Sequence, residues 1–312
     1  MMKKSALRRT SSLFIAALSA WALLPGATIA HARELHLSYA ANWGGLHIAD
    51  FSLSLINGGN AYENRFHLET RGVTRFFTNM AVTAKSRGRI ITPPPATGES
   101  DDPGNGNAAV DNAAGAHLAD TYLAETYRTE YTNKRHFRWV DIDFGEDGEP
   151  AHASTGTSPI PGREENWNPA EKGPEVLEKV EENYRIGVND PITMIPQMMA
   201  MVQAHLNGGP SSTVVKGFDG RRRFDMDVTY LGLASRTVNG IQHDTYHVRI
   251  TPNPVAGFKE RQKVLWNGST YDFYLSRDGR FVPLQIVPVK HGPVLTLIAE
   301  CKTPCEIKAD EE

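Results

Sequence analysis

From residue 35 onward the chain alternates apolar and polar side chains with a period of two, the pattern of half-buried β-strands. Leu35, Leu37 and Tyr39 fall on one face, and His36 and Ser38 on the other. His47, Ala49, Phe51, Leu53 and Leu55 repeat the pattern before the turn Asn57-Gly58-Gly59-Asn60. A return strand from Tyr62 to Thr70 would complete a hairpin, with Tyr62, Phe66 and Leu68 on one side. Further strands are expected over 80–91, 122–131, 135–144, 213–218, 222–231, 241–250, 262–266, 271–276, 281–287 and 294–299. Asp219-Gly220 and Asp278-Gly279 supply turns between neighbours. Short strands at this spacing predict a mainly β fold built as a highly curved sheet, a sandwich or a barrel.

Two segments break the alternation. The run 93–116, PPPATGESDDPGNGNAAVDNAAGA, has almost no large apolar side chain and reads as a disordered insertion, because it cannot bury enough surface to offset ordering entropy. The other is a helix with Asp190 as N-cap, Pro191 at its first position and Asn207-Gly208-Gly209-Pro210 as its stop. Ile192, Ile195, Met198, Met199, Val202 and Leu206 recur at helical spacing and make one apolar face. A weaker acidic helix is expected from Glu175 to Tyr184. The methionine stripe at 194, 198, 199 and 201 has two readings. It either packs a core, or lines a cavity inside a curved sheet, since thioethers adapt to irregular ligands as well as to irregular cores. On the second reading, Ile195, Met198, Met199 and Val202 are the candidate ligand-binding residues.

The first 32 residues alter the charge. Lys3, Lys4, Arg8 and Arg9 precede the run Leu13 to Leu24, Pro25-Gly26 breaks it and Ala30-His31-Ala32 closes it, the anatomy of a secretory signal peptide cleaved after Ala32. Twelve helical residues rise about 18 Å, short of a hydrocarbon core of roughly 30 Å. The expected organisation is a signal peptide at 1–32, a single β-rich domain at 33–306 and an acidic tail at 307–312, with no transmembrane segment in the mature chain. The full chain carries 33 Lys+Arg against 36 Asp+Glu. Without the four basic leader residues the balance is 29 to 36, which works against binding a phosphate backbone. Nucleic acid is therefore not an expected partner. The basic run at 221–223 sits beside Asp219, Asp225 and Asp227 and reads as locally neutralised.

Export would expose both cysteines, Cys301 and Cys305, to oxidising conditions, where they are expected to form a disulfide pinning the last strand. Their three-residue spacer differs from the two-residue spacer of thioredoxin-type redox sites.

Catalytic signatures are sparse. The sequence has no Gly-x-Ser-x-Gly elbow, phosphate-binding loop or His-Glu-x-x-His helix. His243 and His247 lie on an alternating segment, which sets them roughly 13 Å apart on one strand face, too far to share a metal. The acidic run 141–149 reads as a hairpin rather than a calcium loop, because it lacks the glutamate at the twelfth position. No cofactor, metal site or catalytic residue is assigned.

Several short segments occur in a recognisable order: Trp43-Gly44-Gly45-Leu46, Asn189-Asp190-Pro191-Ile192-Thr193, Phe218 to Phe224, Pro254 to Phe258 and Tyr274 to Pro283. Together they resemble the bacterial domain of unknown function 3108 family over about residues 35–300. That resemblance implies an exported periplasmic protein with a single strongly curved antiparallel sheet, a half-barrel similar to lipoprotein carriers; the apolar-faced helix read from its spacing would pack on or in that sheet. It implies no catalytic residues. Three functional classes follow: a non-enzymatic envelope protein holding a lipid, acyl chain or lipoprotein segment; a scaffold binding another envelope protein; and an enzyme with a dispersed site.

Overall fold

The computed structural model describes residues 33–92, 120–134, 136–160 and 180–306. The signal peptide at 1–32, the insertion at 93–116, residues 175–179 of the acidic helix and the tail at 307–312 lie outside the described residues. Most of the alternating segments become sheet. The strands are β1 (Arg33–Trp43), β2 (Leu46–Asn57), β3 (Ala61–Thr70), β4 (Ala81–Ile91), β5 (Thr121–Thr132), β6 (Phe137–Phe144), β7 (Pro150–Ser158), β8 (Ser212–Phe218), β9 (Arg223–Val238), β10 (Ile241–Ala256), β11 (Tyr271–Ser276), β12 (Pro283–Pro288) and β13 (Val294–Cys301). All thirteen form one antiparallel sheet in the order β7-β6-β5-β4-β3-β2-β1-β13-β12-β11-β10-β9-β8. Among the described residues β7 and β8 are its two edges, and no pairing between them closes the sheet.

An open sheet of this many twisted strands must curl to bury its face. Bulges assist, because an extra residue on one strand bends the ladder. They interrupt the register at Ser38/Tyr39, Arg87/Gly88 and His247/Val248, among other places. The curl brings the ends of the sheet near each other. A Cβ added to Gly220, in the β8–β9 turn, would lie 2.3 Å from Val140 of β6.

Three α-helical segments occur among the described residues: α1 (Thr74–Phe77), α2 (Met194–Leu206) and α3 (Glu260–Trp266). α2 is the expected apolar helix. Asp190 Oδ1 accepts the backbone N–H groups of Ile192 and Thr193, so the Asp-Pro pair begins the helical turn that leads into α2. At the other end Gly208 takes φ 94° and the Gly209 N–H donates to the Ala204 carbonyl, closing the last turn.

α2 lies within the curl and is buried on more than one side. Ile195 and Met199 pack against one core cluster, which holds Leu37, Leu53, Ile142 and Phe218. Met194, Met198, Met201 and Val202 belong to a second, with Phe224, Val228, Val248 and Leu275. The single apolar stripe drawn from the sequence is therefore too narrow. Met194 and Met201 are buried, Ile195 and Met199 are only partly buried, and Leu206 is exposed.

Other expectations also change. Residues 262–266 are helical within α3, where the Lys259 N–H donates to Gln262 Oε1 and Trp266 packs edge-on against Phe258. β7 has no counterpart in the alternation pattern, because PAHASTGTS carries no large apolar side chain. Of the expected acidic helix, the described part is a 3₁₀ turn at Glu182–Arg185 preceded by extended backbone at Glu181. β12 starts at Pro283 rather than 281, since Phe281 adopts φ 57°.

Cys301 and Cys305 form a disulfide, and Cys301 sits opposite His36 of β1. Closing so short a loop restricts the unfolded chain by about 2 kcal/mol. The double substitution C301S/C305S is expected to lower the free energy of unfolding by that amount in urea titration, with the largest gain in hydrogen exchange confined to β13.

Candidate functional site

α2 and strands β8–β11 do not fill the space between them. They leave a partly open cavity of about 350 Å³. Met194, Ile195 and Met198 form one wall, Phe224, Met226 and Val228 of β9 a second, and Trp266 and Phe273 a third. Its lining is otherwise aliphatic, proline or tyrosine, with Asp219 as the charged exception. Asp219 is already engaged: it accepts the N–H groups of Arg221 and Arg222 and pairs with the Arg222 guanidinium at 2.8 Å. The volume is at the low end of the about 300–1,000 Å³ of small-ligand sites.

The candidate residues divide. Ile195 and Met198 line the cavity. Val202 has no solvent exposure and fills the second core cluster, while Met199 packs against both clusters. Neither lines the cavity. Gly217 gives the arrangement room, because a Cβ there would lie 2.4 Å from the Phe224 ring and 2.7 Å from Met194 Sδ.

A buried polar network fixes the helix that forms this wall. Asp190 is fully buried, and its Oδ2 accepts hydrogen bonds from Ser86 Oγ of β4 at 2.6 Å and from Thr193 Oγ1 at 2.7 Å. Tyr62 of β3 extends the network through its hydroxyl, 2.9 Å from Thr193 Oγ1. Burial outweighs these donors and raises the Asp190 carboxyl above the ordinary aspartate range. Burial likewise raises the Tyr62 and Tyr127 phenols. α2 is thereby riveted to strands more than a hundred residues away in sequence, which holds Ile195 and Met198 at the cavity.

A second depression, of about 380 Å³, lies along β2–β5 and is bordered by Pro304 of the disulfide loop. Arg65, Lys85 and Arg128 occupy directly opposed positions across β3, β4 and β5. Such like-charge neighbours repel unless acids intervene. Glu63 pairs with Arg65, Lys85 and Arg87, while Glu130 pairs with Arg128. Partial burial opposes its ionisation, but the three donors bring the Glu63 carboxyl down to about 2. This face is an ion-pair lattice in which Arg65, Lys85, Arg87 and Arg128 share Glu63, Glu130 and Asp141.

A cleft gathering carboxylates and histidine would favour an enzyme. Among the described residues, no three His, Cys, Asp or Glu side chains converge in metal-binding geometry. His247 approaches Asp272 at 3.3 Å, but Arg249 grips the same carboxylate through Nε and Nη2 at 2.8 and 3.1 Å. Opposite charge lowers Asp272 despite its partial burial. No helix among the described residues is long and apolar enough to cross a membrane.

No family model matches the chain, and no curated protein does. Among solved structures, a β-barrel-like protein of domain of unknown function DUF1849 from Brucella abortus is similar, with 8% sequence identity, a TM-score of 0.37, and coverage of 86% of this chain and 95% of that one.

Proposed function

We propose that this chain is an exported, periplasmic and non-enzymatic envelope protein of the domain of unknown function 3108 family, which holds the acyl chain of a lipid or lipidated protein in the cavity beside α2. The apolar cavity of about 350 Å³ carries this reading. Each methylene moved from water into such a lining is worth about 0.8 kcal/mol, so a chain of modest length binds without a charged anchor. Ile195 and Met198 contact the ligand directly, and Met199 and Val202 act behind them by fixing the helix. Cleavage after Ala32 releases the protein to an oxidising compartment, a reading that the Cys301–Cys305 disulfide supports.

Native mass spectrometry of the protein extracted gently from its own cells tests the proposal. The wild type is expected to carry an acyl-containing adduct. Met226, a partly buried wall residue of β9, is the site to fill: Met226→Trp should reduce adduct occupancy at least tenfold while leaving the far-ultraviolet dichroism unchanged. A wild type without adduct from repeated preparations, or an adduct indifferent to M226W, refutes it.

A further inference from the structure

Strand directions sort the turns into two ends. Six connections gather at one end: β1–β2, β3–β4 with α1, β5–β6, β8–β9, β10–β11 with α3, and β12–β13. This end displays the most exposed aromatic side chains of the described structure, Phe76 at 80% and Phe77 at 82%, both on α1. Trp43 and Leu46 of the β1–β2 turn are 59% and 58% exposed, and Val264 of α3 is 72% exposed.

Contacts join the turns into one surface. The Arg71 N–H and Thr74 Oγ1 both donate to the Ile48 carbonyl, which ties the α1 segment to β2 just beyond the β1–β2 turn. Lys134 Nζ donates to the Phe76 carbonyl, bringing in the β5–β6 turn. Asn42 pairs with Val294, so the β12–β13 turn follows, and Lys290 Nζ lies 3.6 Å from the Cβ position of Gly268 beyond α3. The cavity walls Trp266, Tyr271 and Pro252 also lie at this end.

Charge at this end opposes that of the chain. Arg75, Lys134, Lys259, Arg261, Lys263 and Lys290 fall in these connections, against the exposed acid Glu260 and the half-buried Asp219. The opposite end carries Glu146, Asp147 and Glu149 in the β6–β7 turn. Aromatic tips surrounded by Lys and Arg are the composition that seats on an anionic bilayer, where the rings enter the headgroup region and the cations meet lipid phosphates.

We propose that this end is a docking surface for the face of an anionic phospholipid bilayer, with Phe76 and Phe77 as the inserting residues and Lys134 and Lys290 among the cations. The surface stands on exposure and charge, independently of whether the cavity holds an acyl chain. Where both hold, the cavity lies at the membrane-facing end.

Co-flotation with vesicles tests it, comparing wild type and variants prepared in the same form. With phosphatidylcholine vesicles containing 30% phosphatidylglycerol, wild type is expected to float, and Phe76→Ser/Phe77→Ser should weaken partitioning at least tenfold. Lys134→Ala/Lys290→Ala should weaken it about 25-fold at low salt, and 0.5 M salt should remove most of that difference. Unchanged thermal midpoints would show that the variants fold. Equal flotation by wild type and the Phe76/Phe77 variant, equal binding to neutral and anionic vesicles, or a photo-crosslinker at position 76 that labels protein rather than lipid in cells would each overturn the proposal. M226W keeps the cavity question separate: it should float like wild type, whereas the Phe76/Phe77 variant should retain the acyl adduct.

Discussion

Replacing Asp190 with alanine is expected to cost about 3–5 kcal/mol of unfolding free energy, because it strands the N–H groups of Ile192 and Thr193 in a buried site and leaves the Ser86 and Thr193 hydroxyls with only each other and Tyr62 as partners. Asp190→Asn should cost only about 1–2 kcal/mol, since the amide oxygen still accepts the two backbone N–H groups while its NH₂ donates to a hydroxyl. Urea midpoints at constant slope measure both. The acidity of Asp190 sets how the comparison changes with pH. Its folded pKa lies above the unfolded value, so its contribution is fully present below the unfolded pKa and is lost as pH rises through the folded pKa. The stability advantage of wild type over D190N should therefore shrink as pH climbs from about 4 toward neutrality, the direction opposite to that of a salt-bridged aspartate. A gap that widened with pH would mean that the carboxylate is stabilised in the folded state and that burial is not the dominant influence.

A comparable loss is expected from Gly88→Ala, about 3 kcal/mol or more. Gly88 sits at the β4–β5 bulge, and an added Cβ would lie 2.0 Å from the Leu123 carbonyl oxygen and 2.7 Å from the Tyr62 hydroxyl. The first obstacle is backbone and cannot rotate away. The second disturbs Tyr62, which hydrogen-bonds Thr193 in the Asp190 network. Removing the hydroxyl with Tyr62→Phe should therefore rescue little of the G88A loss in chemical denaturation. Full rescue would show that the side chain, not the carbonyl, limits the space.

These two sites also mark how far the sequence alone could lead. β1 to β3 were legible because one face of each is buried and a period of two records that asymmetry: Leu35, Leu37, Tyr39, Leu53 and Leu55 are all buried. Asp190-Pro191 is a local signal that marks the turn leading into α2, although the helix itself begins at Met194, three residues after the expected first position. The buried surface of α2 was not legible, since a helix packed on several sides has no single stripe, and Met194 and Met201 are as buried as Met198. Gln262, Val264 and Trp266 alternate over only five residues, too short a window to distinguish the helix α3 from a strand. The cavity walls were invisible for a different reason. Phe224 and Phe273 are ordinary strand residues and Trp266 the end of a short helix until pairing of β9, β10 and β11 brings them around Met198. Ser86 offers no sign that it will meet an aspartate 104 positions later.

Pairing of β1 with β13 gives the sheet an unusual order of assembly. Each flank, β1 to β7 and β8 to β13, is a meander of neighbours that can zip from local contacts. The seam between them joins His36 to Cys301 and lies in the middle of the sheet, while the outer edges β7 and β8 are successive strands among the described residues. Synthesis therefore completes the centre last. Until β13 arrives, the inner edge of β1 exposes unpaired backbone groups beside Leu35, Leu37 and Tyr39, a template for pairing with another chain. This one long-range closure raises contact order and makes the newly made protein most prone to aggregation just before its last strand docks.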